Sequence, residues 1–275
     1  MPRSSASVPS LSSVPASASG SSGGTDASGD AAPVDPAPPA ELRAAAVAVF
    51  GDRLPLAERY AELLMTDGVV RGLIGPREAP RVWERHLLNC AVVGELIPTG
   101  ASVVDVGSGA GLPGIPLSIA RPDLTVILLE PLARRTAFLT EVVEKLELAT
   151  TSVVRARAEE CAGRAMPAGL PVDVVTSRAV APLDRLAGWC LPLAVPGGRM
   201  LALKGASAAD EIATHAPAVE RLGGGRPTLR QCGEGTLAEA TTVIEIVRER
   251  VVGGPVPKRV RADKPAGARS RPRRR

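Results

Sequence analysis

Between Asp105 and Gly111 the chain reads D-V-G-S-G-A-G, one acid followed by glycines at 107, 109 and 111. Glycine at such positions supplies a positive φ in a turn, or leaves out a Cβ where a ligand touches backbone. The same run continues to Gly114, so that Gly109–Gly114 also spells G-x-G-x-x-G, and Glu130 lies 21 residues after Gly109. That spacing is the dinucleotide fingerprint with its ribose-binding acid. An acid two residues before the first glycine suits a different ligand, one with a cationic α-amino group near the loop. S-adenosylmethionine carries that group and NAD does not, while Glu130 can accept from ribose hydroxyls in either case. No Ser/Tyr-x-x-x-Lys set is placed for hydride transfer, and the histidines are His86 and His215 only. Two basic residues, Arg178 and Lys204, follow later apolar runs and are candidates for contacts to a substrate.

A phosphate- or nucleotide-facing loop needs a strand before it and a helix after it. Ser102–Val106 is a short β-branched run, and Ile115–Ala120 can begin a helix. Further strands are expected at Thr125–Leu129, Thr151–Val154, Val172–Thr176 and Arg199–Leu203. Helices are expected between them at Pro131–Leu146, Leu183–Leu193 and Ala208–Ala216. The stretches Thr228–Gln231 and Thr241–Val247 read as a closing hairpin. Strands alternating with helices predict a mainly parallel sheet covered on both faces. Arg178 and Lys204 then fall at the C-terminal edge, where open α/β sheets bind ligands. Ahead of the sheet, apolar residues recur at helical spacing between Ala40 and Thr66, Arg71–Arg81 is broken by glycine and proline, and Val82–Leu96 reads as a helix. His86, alone on that helix, reads as a satisfied structural group more readily than as a ligand.

Apolar residues make up 45% of the chain but aromatics only 2%, so aliphatic side chains must fill the core. No apolar run is long enough for a transmembrane helix, and the N-terminus lacks the apolar stretch of a secretory signal. Cys90, Cys161, Cys190 and Cys232 are far apart, which predicts neither a metal site nor a disulfide framework and fits the cytoplasm. The net charge of +4 is unevenly spread: residues 255–275 carry +8, whereas 1–40 and 41–254 each carry −2. The division expected is a disordered Ser/Ala/Gly/Pro-rich extension at 1–39, a helical part at 40–99, a catalytic domain at 100–252 and a basic tail at 253–275. Such a tail can bind RNA through counterion release.

The run V-D-V-G-S-G-A-G-L-P-G-I-P-L-S-I-A-R-P, Val104–Pro122, resembles the signature of the RsmG (GidB) family of 16S ribosomal RNA guanine-N7 methyltransferases. Glu84-Arg85-His86-Leu87-Leu88, Ser177-Arg178-Ala179 and Ala202-Leu203-Lys204-Gly205 agree, in order. The segment Leu64–Ile74 and the pair Asn89-Cys90 depart from the family's pattern, on the side expected to face RNA. The resemblance implies a class I (Rossmann-like) S-adenosylmethionine-dependent fold with a small helical N-terminal part. It implies S-adenosyl-L-methionine as donor and a guanine in the 530 loop of 16S rRNA, in the small subunit or its assembly intermediate, as acceptor. Carried over by position, the donor would contact Gly107, Leu112, Ala158, Glu159 and Arg178, beside Asp105, Gly109 and Glu130. Guanine N7 carries a lone pair and no proton, so no general base is required, and no catalytic residue is certain beyond the candidates Arg178 and Lys204. An NAD-dependent oxidoreductase and a non-catalytic RNA-binding scaffold are the alternatives.

Overall fold

In the computed structural model the described residues are 35–161, 166–178 and 181–252. The proposed basic tail and nearly all of the proposed N-terminal extension lie outside them, as does Ala179. The strands are β1 (Ser102–Val106), β2 (Thr125–Leu129), β3 (Thr151–Val154), β4 (Val172–Arg178), β5 (Ala194–Leu203), β6 (Thr228–Cys232) and β7 (Thr241–Val247). They form one sheet in the order β3-β2-β1-β4-β5-β7-β6. β1 to β5 pair in parallel, and β7 pairs antiparallel with both β5 and β6. This is the doubly wound, class I methyltransferase arrangement expected from the alternation of strands and helices, closed by the expected hairpin.

Each parallel strand is apolar on both sides because helices cover both faces. Val103, Val126, Leu128 and Val174 point into one layer, while Val104, Ile127, Leu129 and Val175 point into the other. The first layer packs against α4 (Gly114–Ala120) and α5 (Ala133–Lys145) and against the N-terminal helices α1 (Arg43–Phe50) and α2 (Leu54–Leu63). The second packs against α6 (Leu183–Cys190) and α7 (Ala208–Arg221). The N-terminal helices thus share a core with one face of the sheet. Among the described residues no helix is long and apolar enough to cross a membrane.

Several elements differ from the sequence expectation. The expected helix at Val82–Leu96 is irregular: wide π turns over Trp83–Leu88, one α turn at Asn89–Ala91 (α3), then a 3-10 stretch over Val92–Leu96. β4 extends to Arg178, and β5 begins at Ala194, where a register shift between Val172 and Val174 absorbs Pro196 and the glycine pair. α7 runs through Pro217 to Arg221 instead of stopping before it. Proline costs one backbone donor there, which the buried Val219 and the flanking turns tolerate.

Candidate functional site

β1 pairs with β2 on one side and β4 on the other, so the chain reverses its direction of winding at the C-terminal end of β1. This switch point is where doubly wound sheets open a crevice. The glycine loop starts there. The Gly107 and Ser108 amides both donate to Leu129 O, at 2.9 and 3.2 Å, which turns the loop across the end of β2. Gly107, Gly109 and Gly111 have φ of 72°, 60° and 105°. A Cβ on Gly111 would lie 2.5 Å from Ile115 Cγ1 and 2.9 Å from the Tyr60 hydroxyl, so the close approach and the backbone conformation both demand glycine.

Asp105 is fully buried at the base of this loop. Its Oδ2 accepts from Ser108 Oγ at 2.6 Å and from the Gly114 amide at 3.0 Å, tying β1 to the first turn of α4. Its Oδ1 has no hydrogen-bond partner among the described residues. Burial pushes the carboxyl up to about 6, with Ser108, the Gly114 amide and the nearby Thr176 hydroxyl opposing the shift and Glu130 adding to it. Asp105 therefore has one oxygen spent on loop geometry and a second without a hydrogen bond of its own.

Glu130, at the end of β2, is also buried, at 1% exposure. Its two oxygens accept from the backbone amides of Gly109 (3.0 Å) and Leu132 (3.1 Å), and Arg135 stands 3.7 Å away. The acid 21 residues downstream thus meets the loop directly. Leu112, half-buried, follows the last glycine of the alternating run, with its amide bonded to Ser108 O at 3.0 Å. After β3, Ala158 is buried and Glu159 exposed on a short helical turn, Ala158–Glu160, at the same edge of the sheet. The arrangement is a cradle of backbone, bounded by two buried acids: a glycine loop, an unpartnered carboxylate oxygen and a second carboxylate able to exchange amide donors for hydroxyls. It fits a nucleoside that carries a positive charge at one end.

The other side of the crevice is basic. Arg178 closes β4 directly opposite Leu203, the residue before Lys204. Arg178 Nη2 lies 2.7 Å from His86 Nδ1, and Nη1 donates to Cys90 Sγ at 3.2 Å. Lys204 is turned inward: Nζ donates to Ala181 O at 2.9 Å and pairs with Glu211 at 2.7 Å, leaving its side chain 9% exposed. The two candidate basic residues are neighbours at the strand ends, but Arg178 reaches the N-terminal helix and Lys204 reaches α7.

Sequence reasoning missed two contributors from the N-terminal helices. Tyr60, fully buried on α2, donates its hydroxyl to Ala110 O at 2.8 Å, inside the glycine loop. Burial holds its phenol well above the usual range. It is the only tyrosine of the chain, in an aliphatic core where a hydroxyl must find a partner, and that was the available signal. His86 is buried and hydrogen-bonded, as a structural histidine should be, but the partner it holds is the crevice arginine, which no spacing in the sequence signals. Among the described residues no group of three or more His, Cys, Asp or Glu side chains is placed to hold a metal ion.

A family model described as GidB, rRNA small subunit methyltransferase G, matches residues 53–238. The chain is 69% identical over 227 residues to the ribosomal RNA small subunit methyltransferase G of Salinispora arenicola, covering 82% of this chain and 94% of that one. The proteins of the same name from Corynebacterium efficiens and Streptomyces coelicolor are 59% and 57% identical over 206 residues, or 75% of this chain and 88% and 84% of theirs. The matched span includes Tyr60, His86, the glycine loop, Glu130, Arg178 and Lys204.

Proposed function

Because the chain belongs to the rRNA small subunit methyltransferase G family, we propose that it methylates small-subunit ribosomal RNA in the cytoplasm, using S-adenosyl-L-methionine. The acceptor we assign is N7 of a guanine in the 530 loop of 16S rRNA, presented by the small subunit or its assembly intermediate. The observation that carries this reading is the glycine loop at the switch point, flanked by two buried acids, in a chain of this family. Two acids rather than one favour the sulfonium donor over a dinucleotide: a buried carboxylate oxygen without a hydrogen bond suits a cationic amino group close to the adenosine ribose held by Glu130, and NAD carries no cation beside its adenosine ribose.

When bound, S-adenosylmethionine supplies an electrophilic methyl group on a sulfonium. Asp105 would balance the charge of the amino-acid end, and Glu130 would hold the ribose hydroxyls. Gly107, Gly109, Leu112, Ala158 and Glu159 would line the remainder. The protein's task toward guanine is positioning, since N7 presents its lone pair without losing a proton. Holding the two reactants in line and excluding water can supply most of the rate where effective molarity dominates. Arg178, with donors only, can hold the O6 side of a guanine or a neighbouring phosphate. Lys204, already matched by Glu211 and Ala181 O, braces the chain leaving β4.

The test is loss of the gene, followed by primer extension on 16S rRNA after borohydride and aniline treatment, which cleaves at N7-methylguanine. The cleavage in the 530 loop should vanish and return with the intact gene. Persistence of the cleavage in the deletion would defeat the reading. Tight NAD(H) binding by the purified chain, or RNA binding without methyl transfer, would each replace it.

A further inference from the structure

Arg178 is gripped by the N-terminal helices, not by the sheet that carries it. Its guanidinium reaches His86 Nδ1 at 2.7 Å and Cys90 Sγ at 3.2 Å, both on the irregular N-terminal helix. A guanidinium carries only donors and keeps its proton at any accessible pH. His86 Nδ1 must therefore be an acceptor, which places the ring proton on Nε2 and makes the imidazole neutral. Nε2 lies 3.4 Å from Glu78 Oε2, close enough for the carboxylate's charge to act on the ring although no hydrogen bond forms between them. His86 is 6% exposed, so solvent does not compete for either nitrogen. The charged groups that face the ring are Arg178 from β4, Glu78 from the preceding turn and Arg85 from its own element, with the thiol of Cys90 sharing the guanidinium. Burial, then Arg178, hold the imidazole down at about 4, Glu78 opposing.

We propose, resting on the methyl-transfer reading above, that His86 is a positioning residue: in its Nε2–H tautomer, with Nδ1 turned to the guanidinium, it fixes the orientation in which Arg178 meets the substrate. An arginine has many rotamers, and an acceptor buried behind it selects one. Cys90 is a weak acceptor and holds only the second branch of the fork. The N-terminal helices thereby contribute to the crevice without touching the reacting atoms, which gives the irregular π turns over Trp83–Leu88 a use.

Two measurements test this on the full chain. Long-range ¹H–¹⁵N spectra of the protein without cofactor should show His86 as the neutral Nε2–H tautomer from pH 5 to 8. The Nδ1–H tautomer, or protonation near pH 6.5, overturns the proposal. In single-turnover methyl transfer to small subunits, Arg178→Ala and His86→Gln should each lower the rate by roughly 10- to 100-fold, the scale on which misplacement of a positioning group acts. His86→Asn, whose amide oxygen can stand where Nδ1 stands, should recover most of the rate. The double variant R178A/H86Q should be no slower than R178A. A His86→Gln loss of the same factor in both backgrounds overturns the positioning role while leaving methyl transfer intact. No methyl transfer by the wild-type chain overturns the underlying reading, and the tautomer measurement then still judges the contact.

Discussion

Asp105→Asn should change the pH dependence of stability by an amount that follows from burial. The carboxyl sits at about 6 in the folded chain against an ordinary value of 3.8. At 1.36 kcal/mol for each tenfold change in proton affinity, that gap is worth about 3 kcal/mol. The sign follows from proton binding: between pH 3.8 and 6 the folded state holds a proton on Asp105 that the unfolded state has lost. Stability from this group is therefore greatest below 3.8 and falls as pH rises through 6. His86 works in the opposite direction, since its folded value of about 4 lies below the ordinary 6.5. The unfolded chain takes up that proton first, so stability is lost as pH falls through this window. Between roughly pH 4 and 6 the two slopes largely cancel in the wild type. Asparagine cannot ionise, so the stability of Asp105→Asn relative to wild type should rise by about 3 kcal/mol between pH 4 and 7, whatever constant offset its altered hydrogen bonds add. Urea unfolding of both chains at half-unit pH steps, without cofactor, measures this difference directly. A difference that stays flat across the range would show that Asp105 is not the strained buried acid described here. The same variant should bind S-adenosylmethionine more weakly.

Three further outcomes are expected. Tyr60→Phe leaves Ala110 O without its buried donor and should cost about 1–3 kcal/mol, read as a lowered urea midpoint, with a raised KM for the methyl donor and little change in KM for RNA. Gly111→Ala adds a Cβ at 2.5 Å from Ile115 at a φ of 105°; backbone strain of about 1–2 kcal/mol adds to the displaced contacts, and calorimetry should detect no donor binding. Arg71→Ala removes a bidentate pair to Glu141, but the two side chains are 35% and 41% exposed. Solvent screens such a pair, so the urea midpoint should barely move, and a clear drop would mean that the packing of Arg71 over Phe138 carries more than charge.

The central strands and the glycine loop were legible because their signals are local. A β-branched run ending in alternating glycines specifies strand and turn within a dozen residues, and the Glu130 spacing fixed the second acid. Boundaries were less legible where tertiary pairing overrides local preference. β5 starts at Ala194, ahead of a glycine pair, because Val172 offers it a partner, and α7 passes Pro217 because its far end is packed. The direction in which side chains work was not legible at all. Asp105 reads as a ligand acid, yet one of its oxygens is committed to Ser108 and Gly114. Lys204 reads as a free strand-end cation, yet Glu211 and Ala181 O hold its ammonium. Tyr60 and His86 act on residues 50 and 92 positions away, and no spacing rule spans such distances.

The most direct test of the account is transfer of a labelled methyl group from S-adenosylmethionine by the purified chain to small ribosomal subunits lacking the modification. The account predicts label at N7 of one guanine in 16S rRNA, abolished by Gly111→Ala. Label absent from the RNA, or undiminished in that variant, would contradict it.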